Sequence, residues 1–222
     1  MTAKHTSIPM PPIVDRKAWN AALQAEKQAE DALKEQVLAV AAARRRLPMT
    51  PVEGEYTFVG EDGEQSFADL FQGARQLVVY HFMFAPDWPQ ACPHCTNYAL
   101  QQGAGINLQL GDRDTRYILT SRAPYEKLKA WKEEKGIPTP WYSAPTAFSE
   151  EMGVINNDFG DFPGVSVFFR GDDNTIYRAF KTNDFAVEFT MPVNGMLRMT
   201  PYGMQEKGED SPDGWPQPFN AM

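Results

Sequence analysis

The stretch around which this chain is organised is Val78-Val79-Tyr80-His81-Phe82-Met83-Phe84, followed after a short loop by Cys92-Pro93-His94-Cys95. An apolar run of this length, rich in β-branched and aromatic residues, predicts a strand buried on both faces at the centre of a mostly parallel sheet. The residues from Thr96 to Leu110 predict a helix whose first turn holds both cysteines and Pro93. A strand, a loop and a C-x-x-C pair at a helix start are the layout of a dithiol redox site.

A cysteine at the N-terminus of a helix is more easily ionised than a free cysteine. The unpaired backbone N–H groups and the positive end of the helix dipole favour an anion there, so Cys92 is the predicted nucleophile. Cys95, one helical turn later, is predicted to attack a mixed disulfide at Cys92 and release the product. His94 is predicted to add positive charge that favours the thiolate. These roles make thiol–disulfide oxidoreductase the leading functional hypothesis.

Composition narrows the class of protein. The 222 residues, 42% hydrophobic and 23% charged, fit one globular domain of ordinary size with appendages. A net charge of −8 argues against a nucleic acid or an anionic membrane as partner. No apolar run approaches the roughly 20 residues that span a bilayer, and the N-terminus lacks the apolar segment of a signal peptide. The chain is therefore expected in the cytoplasm, where two cysteines suit a recycled dithiol better than a structural disulfide framework.

The sequence divides into an N-terminal arm with a long helix (1–50), a main domain (51–200) and a surface tail (201–222). A strong helical pattern runs from Asp15 to Arg46, and Pro48 stops it. Its apolar residues recur at helical spacing at Trp19, Leu23, Leu33, Val37 and Val40. This helix is expected to pack on its own domain or on a second copy of the chain, which would make a homodimer.

The main domain is predicted to alternate strands and helices and then to form a hairpin. The segment 137–163, rich in proline and aromatic residues, is predicted to be long and irregular. The predicted elements are strands at 56–59 and 117–120, helices at 66–71 and 124–136, a hairpin of 165–170 with 175–180, and a final helix from Asp184 to about Met199.

This order of elements resembles the thioredoxin fold, and the chain resembles the DUF899 family, a thioredoxin-like group related to the AhpC/TSA peroxiredoxins. The resemblance implies an α/β domain with helices on both faces of the central sheet, a C-terminal β-hairpin and an N-terminal helical extension. The matching residues are Arg44 to Met49, Tyr80 to Phe84, Cys92, Cys95, Ser121 to Pro124, Gly164 to Phe168 and Thr200 to Gly203.

Comparison with thioredoxins suggests roles for three further residues. His81 takes the place of the buried acid that moves the proton of the resolving cysteine, although a hydrogen-bonded core histidine is the alternative. Val165 and Ser166 align with the stretch that carries the cis-proline opposite the dithiol, so the resemblance implies that they contact substrate. The serine in place of proline departs from the standard docking surface for disulfides.

Comparison with peroxiredoxins gives an alternative activity, that of a thiol peroxidase. Their P-x-x-x-T-x-x-C pattern would need a threonine at Pro89 and a proline at Ala85, and both are absent. Arg122 is the candidate for the guanidinium that helps to bind peroxide. Trp88 is a candidate for a substrate groove beside the dithiol, with simple packing as the alternative.

Two other interpretations stay open at this point. A single C-x-x-C pair can be half of a zinc site, but the other two ligands would have to come from His5 and His81, so no metal and no cofactor is expected. A non-catalytic binding or scaffold protein on the same fold is the other interpretation. The leading hypothesis predicts a protein or small-molecule partner that carries a thiol or a disulfide.

Overall fold

A computed structural model of the chain describes residues 9–156, 160–183 and 185–220. The described residues up to Leu47 and those from Asn194 onward form one compact unit, and Pro48–Val193 form the other. The helices are α1 (Arg16–Arg44), α2 (Pro93–Gln101), α3 (Ile106–Gly111), α4 (Tyr125–Lys135), α5 (Thr146–Glu151) and α6 (Pro192–Arg198), with short 3-10 helices at Asp69–Phe71 and Phe185–Thr190. The predicted three-part division of the chain stays a prediction.

Ten short strands make two sheets in the described part of the chain. The strands are β1 (Thr50–Pro51), β2 (Thr57–Gly60), β3 (Gly63–Ser66), β4 (Gln76–His81), β5 (Thr115–Ser121), β6 (Trp141–Ser143), β7 (Ile155–Asn156), β8 (Gly160–Asp161), β9 (Gly164–Arg170) and β10 (Ile176–Thr182). The main sheet has the order β1-β10-β9-β4-β5-β6-β2-β3, and β7 pairs with β8 separately. Strands β4, β5 and β6 are parallel, whereas the other neighbours in the main sheet are antiparallel. The sheet is therefore mixed rather than mostly parallel.

The order of elements gives the fold. Parallel strands β4 and β5 are joined through α2 and α3, and the hairpin of β9 and β10 adds to the other side of β4. This strand–helix–strand unit, completed by an antiparallel hairpin, is the thioredoxin-like fold, so the predicted fold class is confirmed. The predicted central strand is also confirmed, although β4 ends at His81, and beyond it the Phe82 backbone N–H still donates to the Thr120 carbonyl oxygen at 2.8 Å.

Each face of the main sheet carries its own apolar core. On one face α2 and α4 cover a cluster that includes Tyr80, Tyr98 and Leu128 together with both cysteines. On the other face α5 and the Asp69–Phe71 helix cover a cluster built around Phe58 and Phe148. Because side chains alternate along a strand, neighbouring residues of β4 contribute to different cores.

Three predicted elements differ in the structure. The helix expected over 96–110 is divided into α2 and α3, with Gly103 and Gly105 between them, because glycine is costly inside a helix. The segment 137–163 is not irregular, since it contains β6, α5 and the β7–β8 pair. The final helix predicted from Asp184 to about Met199 is divided into the 3-10 helix Phe185–Thr190 and α6, and the predicted cap Asp184 lies outside the described residues.

The unit formed by the described residues up to Leu47 and from Asn194 onward contains the predicted long helix. Helix α1 begins after Asp15, whose carboxylate accepts a hydrogen bond from the Ala18 backbone N–H at 2.8 Å. This is the usual capping of a helix N-terminus. In the same unit the Tyr202 hydroxyl donates to the Pro9 carbonyl oxygen at 2.6 Å. None of the described helices combines the length and the apolar character that crossing a bilayer requires.

Candidate active site

The cysteine pair lies where β4 leads into α2. Pro93 is the first residue of α2 and Cys92 is its N-cap, as the sequence predicted. The Cys92 backbone N–H donates to the Met83 carbonyl oxygen at 3.1 Å, which closes the loop between strand and helix. The Cys95 backbone N–H points at the Cys92 sulfur at 3.5 Å. The first thiol therefore takes the position that a capping oxygen usually occupies.

The surroundings of Cys92 favour its ionised form. The Cys95 thiol donates a hydrogen bond to the Cys92 sulfur, and this contact, with the backbone N–H groups of Cys95 and His94 and the charge of His94, lowers the pKa of Cys92 from 9.0 to about 6. Burial acts in the opposite direction on this pKa but is outweighed. Cys92 keeps 7% of its surface exposed, whereas Cys95 keeps 1%. Cys92 is the more reachable sulfur and the better nucleophile.

The same pair of contacts keeps Cys95 protonated. Its hydrogen bond to Cys92 and its burial both raise the pKa of Cys95 strongly. The hydroxyl of Tyr80 also donates to the Cys95 sulfur, at 3.4 Å. The two sulfurs thus differ in charge at neutral pH, as the attacking and resolving thiols of an exchange reaction do.

Two of the other predicted site residues lie on the same face as the dithiol. Val165 pairs with Tyr80 across β9 and β4 and belongs to the cysteine cluster. Trp88 is half-buried against that cluster, and its carbonyl oxygen accepts a hydrogen bond from the Lys127 ammonium. His94 is exposed beside Cys92. The substrate contacts predicted for Trp88 and Val165 and the catalytic role predicted for His94 stay predictions.

His81 does not reach the dithiol. It lies on the opposite face of the sheet, 5.9 Å from the ring of Phe148, with Nε2 2.8 Å from Ser166 Oγ and Nδ1 3.4 Å from Thr120 Oγ1. Burial is the main cause that lowers the pKa of His81 to about 3, so the ring is neutral. The predicted proton transfer from His81 to Cys95 is therefore wrong, and the alternative of a hydrogen-bonded core histidine describes its contacts.

Ser166 lies with His81 on that opposite face. Ser166 is fully buried and holds His81. It is not placed to contact a substrate at Cys92, because the sheet lies between, so its predicted substrate contact is wrong. Arg122 follows the last residue of β5 and donates from Nε to Asp161 Oδ1 at 2.7 Å, and both side chains line a small cavity with His81. The predicted role of Arg122 in binding peroxide stays a prediction.

The structure adds site residues that the sequence analysis missed. Tyr80 contacts Cys95 directly, and Thr96 Oγ1 donates to the Cys92 carbonyl oxygen at 2.9 Å while accepting from Trp131 Nε1 at 3.1 Å. Tyr98 stacks on Tyr80. A signal for Tyr98 was present, because residues three apart share one face of a helix and Cys95 and Tyr98 have that spacing.

The possible metal ligands among the described residues are His, Cys, Asp and Glu side chains. No group of three or more His, Cys, Asp or Glu side chains among those residues is arranged to hold an ion. Cys92 and Cys95 are instead free thiols that contact each other and Tyr80.

We expect the low pKa of Cys92 to set the pH dependence of its reaction. The thiolate fraction rises as pH rises through the pKa, so a pKa of about 6 predicts half of the maximal rate near that pH and a plateau above neutrality. The measurement is the rate of thionitrobenzoate release from dithiobis(nitrobenzoate) at a series of pH values. His94→Gln should move the midpoint to higher pH. A rate that keeps rising toward the pKa of a free cysteine, about 8.5, would contradict this assignment.

The chain matches one protein family and is similar to several solved structures. The family model described as "Bacterial protein of unknown function (DUF899)" matches residues 8–218. A thiol:disulfide interchange protein from Bacteroides sp. is 14% identical, with a TM-score of 0.44 over 64% of this chain and 88% of that chain. Thioredoxin peroxidase I from Plasmodium yoelii is 12% identical, with a TM-score of 0.46 over 67% of this chain and 89% of that one. A cysteine-to-serine mutant of PrxQ from Xylella fastidiosa is 14% identical, with a TM-score of 0.45 over 68% of this chain and 97% of that chain. No curated protein matches the sequence.

Proposed function

Since this chain belongs to the DUF899 family of bacterial proteins, whose function is unknown, its own site has to carry the assignment, and we propose that it is a thiol–disulfide oxidoreductase. The observation that carries the proposal is the placement of Cys92 at the N-cap of α2, where the contacts of Cys95 and of the helix start lower the pKa of its thiol. A thiolate at a helix N-terminus with a second thiol one turn away has the chemistry of disulfide exchange.

The reaction begins at Cys92. Its thiolate attacks one sulfur of a substrate disulfide, a bond forms between the two sulfurs, and the other half of the substrate leaves as a thiolate that takes a proton from solvent. Cys95 then attacks the Cys92 sulfur, the bond to substrate breaks, and the second half leaves and takes the proton of Cys95. The two electrons of the dithiol have moved to the substrate, and a cellular thiol returns them by the reverse steps.

The partner of this reaction is a protein or small molecule that carries a disulfide or a thiol, and we place the reaction in the cytoplasm. Cys92 is the sulfur that such a partner meets, because it is less buried than Cys95 and lies beside exposed His94 and half-buried Trp88. A reducing compartment would return the dithiol to its reactive form after each cycle. Association of two copies through α1 stays a prediction.

Peroxidase activity has less support than disulfide exchange. Arg122, the candidate guanidinium for peroxide, is already paired with Asp161 beside the small cavity that His81 lines. The position of the peroxidatic threonine is Pro89, which has no hydroxyl. A peroxide at Cys92 would lack the hydroxyl contact of the peroxiredoxin pattern, and Arg122 would have to leave Asp161 to supply the guanidinium.

Replacing Cys92 by serine tests the proposal. Reduced wild-type protein should release thionitrobenzoate from dithiobis(nitrobenzoate) at least about a hundredfold faster than the Cys92→Ser variant, because the remaining sulfur is buried and protonated. Circular dichroism and thermal unfolding should show that both proteins are folded alike. Equal rates would exclude the proposed function and would leave the scaffold interpretation, under which both cysteines are dispensable.

A further inference from the structure

The hydroxyl of Tyr80 contacts the resolving sulfur from the strand side. Tyr80 is 4% exposed, and its hydroxyl donates to Cys95 Sγ at 3.4 Å. Cys95 therefore has two side-chain partners, the Cys92 sulfur and the Tyr80 hydroxyl. The position follows from the alternation of β4, which directs Tyr80 toward α2 and His81 away from it.

Among the described residues, no buried acid or base besides the cysteines and tyrosines contacts Cys95. The buried ionisable side chains of His81 and Asp161 have other partners, since His81 contacts Ser166 across the sheet and Asp161 pairs with Arg122. A buried sulfur that gains negative charge during attack needs a hydrogen-bond donor, because charge in an apolar core is costly. The phenol of Tyr80 is the side-chain donor in contact with that sulfur.

The acid–base properties of the pair agree with a donor role. Burial is the main cause that raises the pKa of Tyr80 well above 10, so its hydroxyl stays protonated. Its hydrogen bond acts to lower the pKa of Cys95, against the contact with Cys92 and the burial that raise it. Tyr80 therefore makes the buried thiol easier to ionise without giving up its own proton.

We infer that Tyr80 is a catalytic residue of the resolving step, in which its hydroxyl donates a hydrogen bond to Cys95 Sγ as negative charge develops there. The inference rests on the proposed disulfide exchange. In this step the Cys95–Cys92 bond forms, the bond between Cys92 and the substrate sulfur breaks, and the departing sulfur takes the electron pair and the proton of Cys95. Tyr80 keeps its proton and is unchanged at the end.

Tyr98 fixes the ring of Tyr80 in this position. The two rings stack with centroids 3.8 Å apart and an interplanar angle of 16°. The Tyr98 hydroxyl is itself held 2.8 Å from Thr190 Oγ1. A phenol that is stacked on a fixed neighbour loses little further freedom when it donates to sulfur, which makes the donor preorganised.

A single-turnover experiment separates the two steps of exchange. Reduced protein in slight excess over dithiobis(nitrobenzoate) releases one thionitrobenzoate when Cys92 attacks and a second when Cys95 resolves the mixed disulfide. Tyr80→Phe should leave the first phase unchanged and slow the second about tenfold, which is the effect of losing a hydrogen bond to a charged group. Tyr117→Phe is the matched control. Tyr117 is a buried tyrosine of the same cluster whose hydroxyl interacts with Tyr98 and, in the described part of the chain, makes no hydrogen bond to a cysteine.

The outcomes distinguish failure of the role of Tyr80 from failure of the proposed disulfide exchange. Two normal phases in Tyr80→Phe, matching Tyr117→Phe, would overturn the role of Tyr80 and leave the proposed function intact. Equal slowing of both phases in Tyr80→Phe would also overturn it, since the loss would then be structural. Absence of a fast first phase in the wild-type protein would overturn the proposed function and the role of Tyr80 with it.

Discussion

Replacing Cys95 by serine is expected to stop the reaction after its first step. Cys92 keeps the N-cap position and its exposed edge in this variant, so attack on a disulfide still occurs. The serine hydroxyl cannot displace the product, and an external thiol has to do so. Because a sulfur held one helical turn away acts at a very high effective concentration, turnover should fall by more than about a hundredfold.

Mass spectrometry of the intact protein provides the measurement. Cys95→Ser mixed with dithiobis(nitrobenzoate) should carry one thionitrobenzoate per chain, whereas wild-type protein should carry none and should be two hydrogens lighter than its reduced form. Cys92→Ser is the control and should stay unmodified over the same time. Full turnover by Cys95→Ser, or an adduct on the Cys92→Ser control, would show that the two sulfurs do not act in the order that their environments indicate.

Stability at acid pH is expected to depend on His81. The pKa of His81 is about 3 in the folded chain, below its ordinary 6.5, so between these values the unfolded chain binds a proton that the folded chain does not. The contribution of His81 to the free energy of unfolding should therefore be fully present above pH 6.5. Below pH 6.5 the free energy of unfolding should fall by about 1.4 kcal/mol for each pH unit, until the pH reaches the pKa of His81 in the folded chain. Urea unfolding at several pH values measures this slope.

Two variants separate the charge of His81 from its hydrogen bond. His81→Gln should be less stable than wild type at pH 7.5. Between pH 6.5 and 4, its free energy of unfolding should fall less steeply with decreasing pH than that of wild type, because the imidazole is absent. Ser166→Ala removes the partner of His81 Nε2 and should cost about 1–2 kcal/mol while keeping the slope. If His81→Gln and the wild-type chain lose stability in parallel as pH falls, another group is responsible.

The central strand and the dithiol helix were predictable because their signals are local. A long apolar run predicts a buried strand, and proline after the first cysteine predicts a helix start. The side of the sheet to which each residue points was not predictable. Val78 to Phe84 is apolar except for His81, so it lacks the regular polar–apolar alternation that would have separated Tyr80 from His81.

The prolines of the segment 137–163 favour irregular structure in a local sequence pattern, but they do not interrupt the elements that form there. Pro140 instead precedes β6, and Pro145 is the N-cap of α5, where proline is compatible with the backbone. Phe148 of α5 then fills the core with edge contacts to Phe58 and Phe67 at centroid distances of 4.9 and 5.2 Å. These are contacts between residues distant in sequence, which local patterns do not contain.

The outermost strands of the main sheet are short and poorly suited to recruiting another chain. Strand β1 has two residues, one of which is Pro51, and proline has no N–H to offer a neighbouring strand. Strand β3 at the other margin carries the exposed carboxylate of Glu64. Such margins disfavour the edge-to-edge pairing that begins aggregation, so a folded domain with this much β structure can stay dispersed at high concentration.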